Sequence, residues 1–313
     1  MGGSMPATPH ANRTIAAAGA ILGYAALVTY ADNFVRVIAE QSNLWQFHAT
    51  RSVIAMGMLL VAARILGLRV RPRRWGPFIA RSAAHGSALL IYFGCLGFLS
   101  VAEAVAGLFT APIFVLLIMR FAYGRRLGPV RIAAALVGFA GVILVLFPDG
   151  PRAVNAAAPV AVLAGALYGL GNIATREWCP EEATATLTAG YFGALGIAGF
   201  AGLGVLWALP VAEVPAGAAG FLMRGFAAPS AEVMLWTVVQ AVASLIGVGF
   251  LVRAYQMAEA SRVSVFEYML LPAAAIWTYL IWGSAIAPMS AIGMALIIGA
   301  GAVMALRADP PAA

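Results

Sequence analysis

Six ionisable side chains inside the long apolar stretches of this 313-residue sequence form the shortlist of residues that could carry chemistry. A charged group at the centre of a bilayer costs about 2.5–3.5 kcal/mol on insertion scales. If the stretches cross a membrane, such residues are candidates for binding or proton transfer. They are Asp32, His48, Arg51, His85, Glu103 and Glu267.

Glu267 is the strongest candidate and lies in the stretch RVSVFEYMLLPAAAIW at 262–277. Its carboxylate can meet a cationic or amine group of a substrate. It can bind a coupling proton, because burial favours the protonated form of a carboxylic acid. It can also form a structural ion pair with a buried arginine such as Arg51. The adjacent Tyr268 belongs to the same candidate site.

The other ionisable residues each have two interpretations. Arg51 can hold a carboxylate or phosphate through two parallel hydrogen bonds, although pairing with Asp32 or Glu103 is the favoured role. Asp32 and Glu103 fall near predicted helix ends, where they can equally reach water. His85 can titrate near neutral pH, but a neutral histidine packed among its neighbours is the commoner case.

Polar residues at helical spacing form stripes that must avoid lipid. Such stripes either bind neighbouring helices, at about 0.6 kcal/mol per hydrogen bond, or line a wet cavity. The stripes and the ionisable groups together give twelve candidate substrate-binding residues. These are Glu267, Tyr268, Tyr92, His85, Asn33, Asp32, Glu103, Tyr168, Asn172, Trp236, Gln240 and Arg51.

The composition is that of an all-α integral membrane protein. Hydrophobic residues make up 63% of the chain and charged residues 10%, whereas soluble domains carry about 25% charged residues. The net charge is +7, and every basic residue is arginine. These arginines concentrate in short loops, which is typical of the cytoplasmic side of a membrane protein and not of a nucleic-acid surface.

Ten membrane-spanning helices are predicted, each of about twenty mostly apolar residues. They cover 14–37, 44–66, 75–96, 99–120, 129–147, 157–176, 185–209, 232–253, 262–283 and 287–307. The arginine-rich loops around 64–74 and 120–131 lie on one side, so both termini are expected in the cytoplasm and the spans in the inner membrane. The longest outer connection, 210–231, is expected to be a surface loop without chemistry.

The two halves of the sequence resemble each other at an offset of 160 residues. Pro112 corresponds to Pro272, and Gly141 corresponds to Gly301. The position that corresponds to Glu267 holds Gly107, so this carboxylate has no counterpart in the first half. An odd number of spans per half turns the second half over, which predicts two inverted five-helix repeats with a site between them. The predicted segments are a tail at 1–13, two halves at 14–147 and 157–307, and a tail at 308–313. Within the first tail, MGGS at 1–4 is expected to be an added segment.

The stretches FTAPIFVLLIM (109–119) and VFEYMLLPAAAIWTYLIWG (265–283), with the duplicated ten-span layout, resemble the drug/metabolite transporter superfamily, and most of all its EamA-type branch. The resemblance implies a carrier of small organic metabolites, with helices 1, 3, 4, 6, 8 and 9 around a central cavity. It also implies amino-acid export, S-adenosylmethionine import or riboflavin import as possible activities. Many relatives carry an acidic residue before the fifth and tenth helices, where this chain has Arg125–Arg126 and Ser284.

The sequence therefore predicts a secondary transporter and not an enzyme. The expected substrate is a small zwitterion or cation, amino-acid-like or S-adenosylmethionine-like, because acidic and aromatic side chains attract cations. The expected partners are this substrate, the bilayer and a coupling proton if transport is coupled, in a monomer or a homodimer. An amino-acid or drug exporter, a riboflavin importer and, least of all, a membrane-embedded transferase remain alternatives. No phosphate-binding loop or zinc motif occurs, so no cofactor or metal is expected.

Overall fold

The computed structural model describes residues 9–150 and 155–306. The predicted tail 308–313, the first eight residues of the N-terminal tail, Arg152 and Arg307 lie outside them. All regular secondary structure in the described part of the chain is helical, and no strand occurs there. Its α-helices are α1 (Pro9–Asp32), α2 (Val35–Gln41), α3 (Leu44–Leu66), α4 (Trp75–Cys95), α5 (Val101–Leu108), α6 (Ala111–Phe121), α7 (Pro129–Leu146), α8 (Ala158–Glu177), α9 (Thr184–Ala208), α10 (Ala231–Met257), α11 (Ala260–Phe266), α12 (Leu270–Trp282) and α13 (Pro288–Leu306).

Nine segments of the described chain are long and apolar enough to cross a membrane. They are Arg13–Gln41, Leu44–Leu66, Val101–Phe121, Pro129–Leu146, Ala158–Glu177, Thr184–Ala208, Ala231–Met257, Ala260–Trp282 and Pro288–Leu306. The predicted third span is also a helix, α4, of 21 residues. It is long enough to cross, but Arg81 and His85 in its interior make it less apolar than the others.

Three of the predicted spans are broken near their middle or end. The break after α1 falls at Asn33 and Phe34, and the break between α5 and α6 falls at Phe109 and Thr110. A short 3-10 turn, Glu267–Met269, separates α11 from α12. The prolines of α6 and α12 lie in the first turn of each helix, next to these last two breaks. Proline has no N–H to donate and its ring clashes with the carbonyl four residues earlier, so a continuous helix is unfavourable there.

The two halves of the chain pack against each other, helix by helix. The most extensive pairings are α7 with α13, α1 with α10, α3 with α9 and α4 with α8. Each pairing joins a helix before residue 150 to a helix after residue 155. The core therefore lies between the halves and not within either of them.

Glycine allows α7 and α13 to approach closely. A Cβ atom added at Gly141 would lie 2.6 Å from the carbonyl oxygen of Gly293, and one added at Gly293 would lie 2.6 Å from that of Gly141. Within a membrane, where helix association depends on close packing, such small residues permit extended backbone contact.

The connection between α9 and α10 is a mostly exposed surface loop, as expected for 210–231, but part of it packs against the bundle. Phe221 is fully buried, and its carbonyl accepts a 2.8 Å hydrogen bond from the backbone N–H of Leu44. Trp45 donates from its indole to the carbonyl of Leu222 at 3.0 Å, and Arg224 donates to the carbonyls of Ala39 and Ser42. The loop thus seals the junction of α2 and α3, because those helix ends need partners for their free backbone groups.

Candidate functional site

A cavity of about 460 Å³ lies between the two halves. This volume is within the range of small-molecule sites, about 300–1,000 Å³. Most of its wall is apolar or aromatic. The polar and aromatic side chains in the wall include Tyr24, Thr29, Asp32, Asn33, Arg36, Arg51, Tyr92, Tyr168, Tyr191, Ser244, Glu267, Thr278 and Trp282.

Glu267 reaches this cavity because the span that carries it is broken. The residue begins the 3-10 turn between α11 and α12, and its side chain is almost wholly buried. Pro272 lies in the first turn of the helix that follows. The break therefore places a carboxylate inside a membrane segment, in the wall of the cavity.

Three neutral side chains hold the Glu267 carboxylate. Tyr168 donates from its hydroxyl to Oε2 at 2.7 Å, and Asn172 donates from its amide to Oε1 at 3.0 Å. The hydroxyl of Tyr255 donates to Oε1 as well. No arginine or histidine forms a salt bridge with Glu267 in the part of the chain that the structure describes. The suggested ion pair with Arg51 is therefore not formed there. Hydrogen bonds instead offset the cost of burying this carboxylate.

Asp32 provides a second carboxylate, at the end of α1. It is exposed to the cavity, and Gln240 donates from its amide to Oδ1 at 2.8 Å. The carbonyl of the same Gln240 side chain accepts from Ser244 at 3.2 Å. Among the described residues, this carboxylate has one hydrogen-bond donor where Glu267 has three. Asp32 thus has more capacity left for a ligand.

Arg51 is buried in the cavity wall, where its charge is surrounded by rings. Its guanidinium carbon lies 4.9 Å from the ring centre of Phe47 and 5.7 Å from that of Phe93. One of its terminal nitrogens lies 3.3 Å from Nδ1 of His48. Aromatic faces stabilise a cation electrostatically but do not neutralise it.

The favoured pairing of Arg51 with Asp32 or Glu103 was wrong. Neither carboxylate lies within ion-pair distance of Arg51 in the described residues. Glu103 instead forms a capping box with Ser100 at the start of α5, accepting at 3.0 Å from the backbone N–H of Ser100 and at 2.7 Å from its hydroxyl. This satisfies a helix N-terminus and takes Glu103 away from the cavity.

Asn33 lies in the cavity wall and links two helices. Its side-chain oxygen accepts from the hydroxyl of Thr278 at 3.0 Å and from the indole of Trp282 at 3.2 Å. These contacts join the end of α1 to α12 across the two halves. Tyr92 and Tyr168 are also wall residues, so six of the twelve candidates line the cavity.

Five more candidates lie behind the wall. Asn172 and Gln240 support the two carboxylates. His85 is fully buried with its ring edge-on to Tyr168, 4.7 Å between centroids. Trp236 stacks on Phe34 at 3.5 Å. Tyr268 packs against α7, where a Cβ added at Gly138 would overlap its ring.

Several residues of the site were not among the predicted ones. Tyr24 and Tyr191 line the cavity, and Tyr255 donates to Glu267. Two of them had a signal in the sequence, because helical spacing relates them to predicted residues. The stripe of Gln240 and Ser244 continues along α10 to Tyr255, and Tyr24 lies about two turns before Asp32 on α1.

The helix ends on the arginine-rich side are tied together by polar contacts. Arg131 of α7 forms a 2.7 Å salt bridge with Glu259. Gln256 accepts from the hydroxyl of Thr184 at 2.8 Å and donates to the carbonyl of Glu182 at 2.8 Å. The cavity wall, in contrast, includes Arg36 and Trp282, which lie toward the opposite helix ends. Polar contacts therefore tie the helix ends on the arginine-rich side, and the larger cavity lies toward the opposite ends.

Comparison with known proteins gives one family match. Residues 15–147 match the EamA-like transporter family. A riboflavin transporter of Rhizobium johnstonii is 30% identical over 200 residues, which cover 63% of this chain and 59% of that protein. A probable terminal-alkyne amino-acid exporter of Streptantibioticus cattleyicolor is 28% identical over 278 residues, 86% of this chain and 87% of that protein.

A solved crystal structure extends the similarity over nearly the whole chain. It covers 95% of this chain and 99% of its own, with a TM-score of 0.72 and 19% sequence identity. At this identity the likeness concerns the fold alone. Among the described residues, no group of three or more His, Cys, Asp or Glu is placed to hold a metal ion.

Proposed function

We infer that this chain, an EamA-type member of the drug/metabolite transporter superfamily, is a secondary transporter of a small polar organic metabolite. The observation that carries the proposal is the cavity between the halves. It contains the carboxylates of Asp32 and Glu267 and the guanidinium of Arg51, with no salt bridge between them in the described residues. Unpaired charges of both signs in one cavity match a ligand that carries both charges.

The substrate we favour is a zwitterion of amino-acid-like or S-adenosylmethionine-like chemistry. Its ammonium or sulfonium group would meet Asp32, which has the freer of the two carboxylates. Its carboxylate would meet Arg51, whose guanidinium can form charge-assisted hydrogen bonds. Tyrosine and tryptophan side chains in the same wall offer faces and hydroxyls to the rest of the molecule.

Riboflavin is the second candidate, for a specific reason. One relative carries the name of a riboflavin transporter, and the wall of the cavity is rich in aromatic rings that can stack on a flat ring system. The proposed export of amino acids has similar support from the name of another relative. The two substrates differ in charge, so Arg51 and Asp32 distinguish them.

The proposed mechanism is alternating access by two inverted five-helix halves. The packing supports it. If each span is replaced by the corresponding span of the other half, the α1–α10 contact becomes the α8–α4 contact. The contacts α3–α9 and α7–α13 stay the same, because each joins two corresponding spans. Halves related in this way can rock about a central site. In this proposal the termini are in the cytoplasm and the spans are in the inner membrane. The structure is then an outward-facing state, because the larger cavity lies toward the ends opposite the arginine-rich side.

Purified protein in liposomes tests the proposal. We expect uptake or exchange of a radiolabelled amino acid, S-adenosylmethionine or riboflavin, above that of liposomes without protein. The matched control is the Arg51→Gln variant, which should lose flux of a zwitterion far more than flux of riboflavin. Absence of flux for the whole panel, with protein that is shown to be folded and inserted, would refute the transport function.

A further inference from the structure

Arg81 is a buried cation that the proposed outer site does not use. It lies in the interior of α4 and is fully buried. Its Nε donates to the hydroxyl of Thr175 at 3.0 Å, and one terminal nitrogen donates to the carbonyl of Leu187 at 2.8 Å. Its second terminal nitrogen, Nη2, has no hydrogen-bond partner within the described residues. No carboxylate there lies within ion-pair distance of it either.

A purely structural role accounts poorly for this arginine. Burying a cation without a counter-ion is costly, and a well-packed apolar residue of similar volume usually serves stability as well or better. The two neutral hydrogen bonds do not require a positive charge. The charge therefore needs a partner that the resting molecule does not supply.

His85, one helical turn along α4, extends the same polar cluster toward the cavity. Neither of its ring nitrogens has a hydrogen-bond partner within the described residues. Its ring meets Tyr168 at 4.7 Å and Tyr191 at 5.6 Å, measured between centroids. Both tyrosines line the large cavity. His85 and Arg81 thus lie directly beneath the cavity wall, with three unpartnered polar nitrogens between them in the described structure.

A second cavity approaches the cluster from the other side. Its volume is about 320 Å³, and its wall contains Thr175, Arg176 and Gln256. Thr175 is the residue whose hydroxyl accepts from Arg81. The helix α8 therefore lines the central cavity through Tyr168 and the second cavity through Arg176. Between them, its Thr175 contacts Arg81.

We propose that Arg81, with His85 beside it, binds the carboxylate of the transported metabolite when the carrier opens toward the arginine-rich side. This inference rests on the proposed transport function and adds a second anion site to it. Arg51 holds the carboxylate in the outward-facing state. Arg81 and His85 receive it after α4 and α8 separate on the inner side. Two arginines at different depths give the anion a partner in each state.

A charge-selective labelling experiment tests this without knowledge of the substrate. Thr175→Cys is made in a protein with Cys95→Ala and Cys179→Ala, in membrane vesicles with the inner face outward. The rate at which the introduced thiol reacts is measured with an anionic reagent, sulfonatoethyl methanethiosulfonate, and with the cationic trimethylammonium-ethyl analogue, each normalised to a free thiol. We expect a preference for the anion of about tenfold, since one nearby charge in a partly desolvated site has that effect.

Matched variants decide the outcome. Arg81→Lys should keep the preference for the anionic reagent, and Arg81→Gln should lower it to what Arg125 and Arg176 in the same cavity wall produce. An unchanged ratio in Arg81→Gln, or a thiol introduced by Thr175→Cys that reacts from neither face, overturns the inference. If Arg81→Gln does not fold, the ratio for Thr175→Cys is compared with that for Ala183→Cys on the inner surface, and equal ratios overturn it. Flux into liposomes is measured in parallel, so a failure of transport is distinguished from a failure of the anion site.

Discussion

Tyr168 of α8 donates a 2.7 Å hydrogen bond to Glu267, at the break between α11 and α12. The tyrosine and the carboxylate both line the central cavity. Any movement of the broken span relative to α8 must therefore stretch or exchange this hydrogen bond. Because a buried carboxylate without donors is costly, the pair couples the state of the cavity to the position of the broken span.

Replacing the carboxylate by an amide tests this coupling. Glu267→Gln keeps the shape but replaces one acceptor oxygen by an NH₂ group, which then faces either Tyr168 or the pair Asn172 and Tyr255, all of them donors to the carboxylate. We expect flux to fall by about tenfold or more, because a lost charge-assisted hydrogen bond is worth about 1.5–3 kcal/mol. The measurement is initial-rate uptake into liposomes.

The control for this variant is Glu232→Gln. Glu232 is an exposed residue in the first turn of α10, and its replacement should leave flux unchanged. Equal flux in wild type and Glu267→Gln would assign Glu267 a structural role alone.

The two charges of the outer cavity should recognise different parts of a zwitterion. Asp32→Asn should weaken binding of substrates with an ammonium or sulfonium group and spare those without. Arg51→Gln should weaken binding of substrates with a carboxylate by about tenfold or more, for the same energetic reason. Competition by pairs of analogues that lack one charge measures both effects. A uniform loss across all analogues would contradict this division of roles.

Breaking the Arg131–Glu259 salt bridge should favour the inward-facing state. The bridge is 2.7 Å long, with the arginine side chain buried and the glutamate side chain partly exposed, and pairs that reach solvent contribute about 1 kcal/mol or less. We expect Glu259→Gln to shift the equilibrium by roughly fivefold. The readout is slower modification, from the outer side, of a cysteine placed at Ser244 in the cavity wall.

A charge swap provides the control for the Arg131–Glu259 salt bridge. The double variant Arg131→Glu with Glu259→Arg should restore much of the original modification rate. If Glu259→Gln and the swap both label at the wild-type rate, the salt bridge does not bias the two states.

Close packing of α7 on α13 should make one glycine indispensable and another replaceable. Gly293→Ala places a methyl group 2.6 Å from the carbonyl of Gly141, and overpacking of this kind costs about 1–3 kcal/mol. Gly299→Ala on the same helix meets nothing within 4 Å. Thermal unfolding in detergent should show a lower midpoint for the first variant and a wild-type or slightly higher midpoint for the second. Equal midpoints would contradict the contact.

The positions of the helices followed from the sequence, because an apolar stretch of about twenty residues is a local property. Most predicted ends fall within a few residues of the observed ones. The breaks were only half visible. Pro112 and Pro272 indicated two of them, but Asn33 and Phe34, where α1 ends, carry no comparable signal.

The site was harder to predict, because its contacts join distant parts of the chain. Gln240 donates a hydrogen bond to Asp32, which lies 208 residues earlier in the sequence. Arg51 lies beside aromatic rings and not beside a carboxylate. Arg81 was not among the candidates, although it lies one turn from His85 on the same helix face.

The sequence by itself determined that the chain is an all-helical membrane protein, and it pointed to Glu267 as an unusual carboxylate. Both conclusions depend on the free-energy cost of placing a charge in an apolar segment. This cost can be read from each segment by itself, without its neighbours in the fold. Only the tertiary structure decided which polar faces meet. It surrounded Glu267 with Tyr168, Asn172 and Tyr255 and left Arg51 and Arg81 without counter-ions in the described chain. The physical reason is that hydrogen bonds and ion pairs depend on the rotation and depth of packed helices, which no single helix specifies.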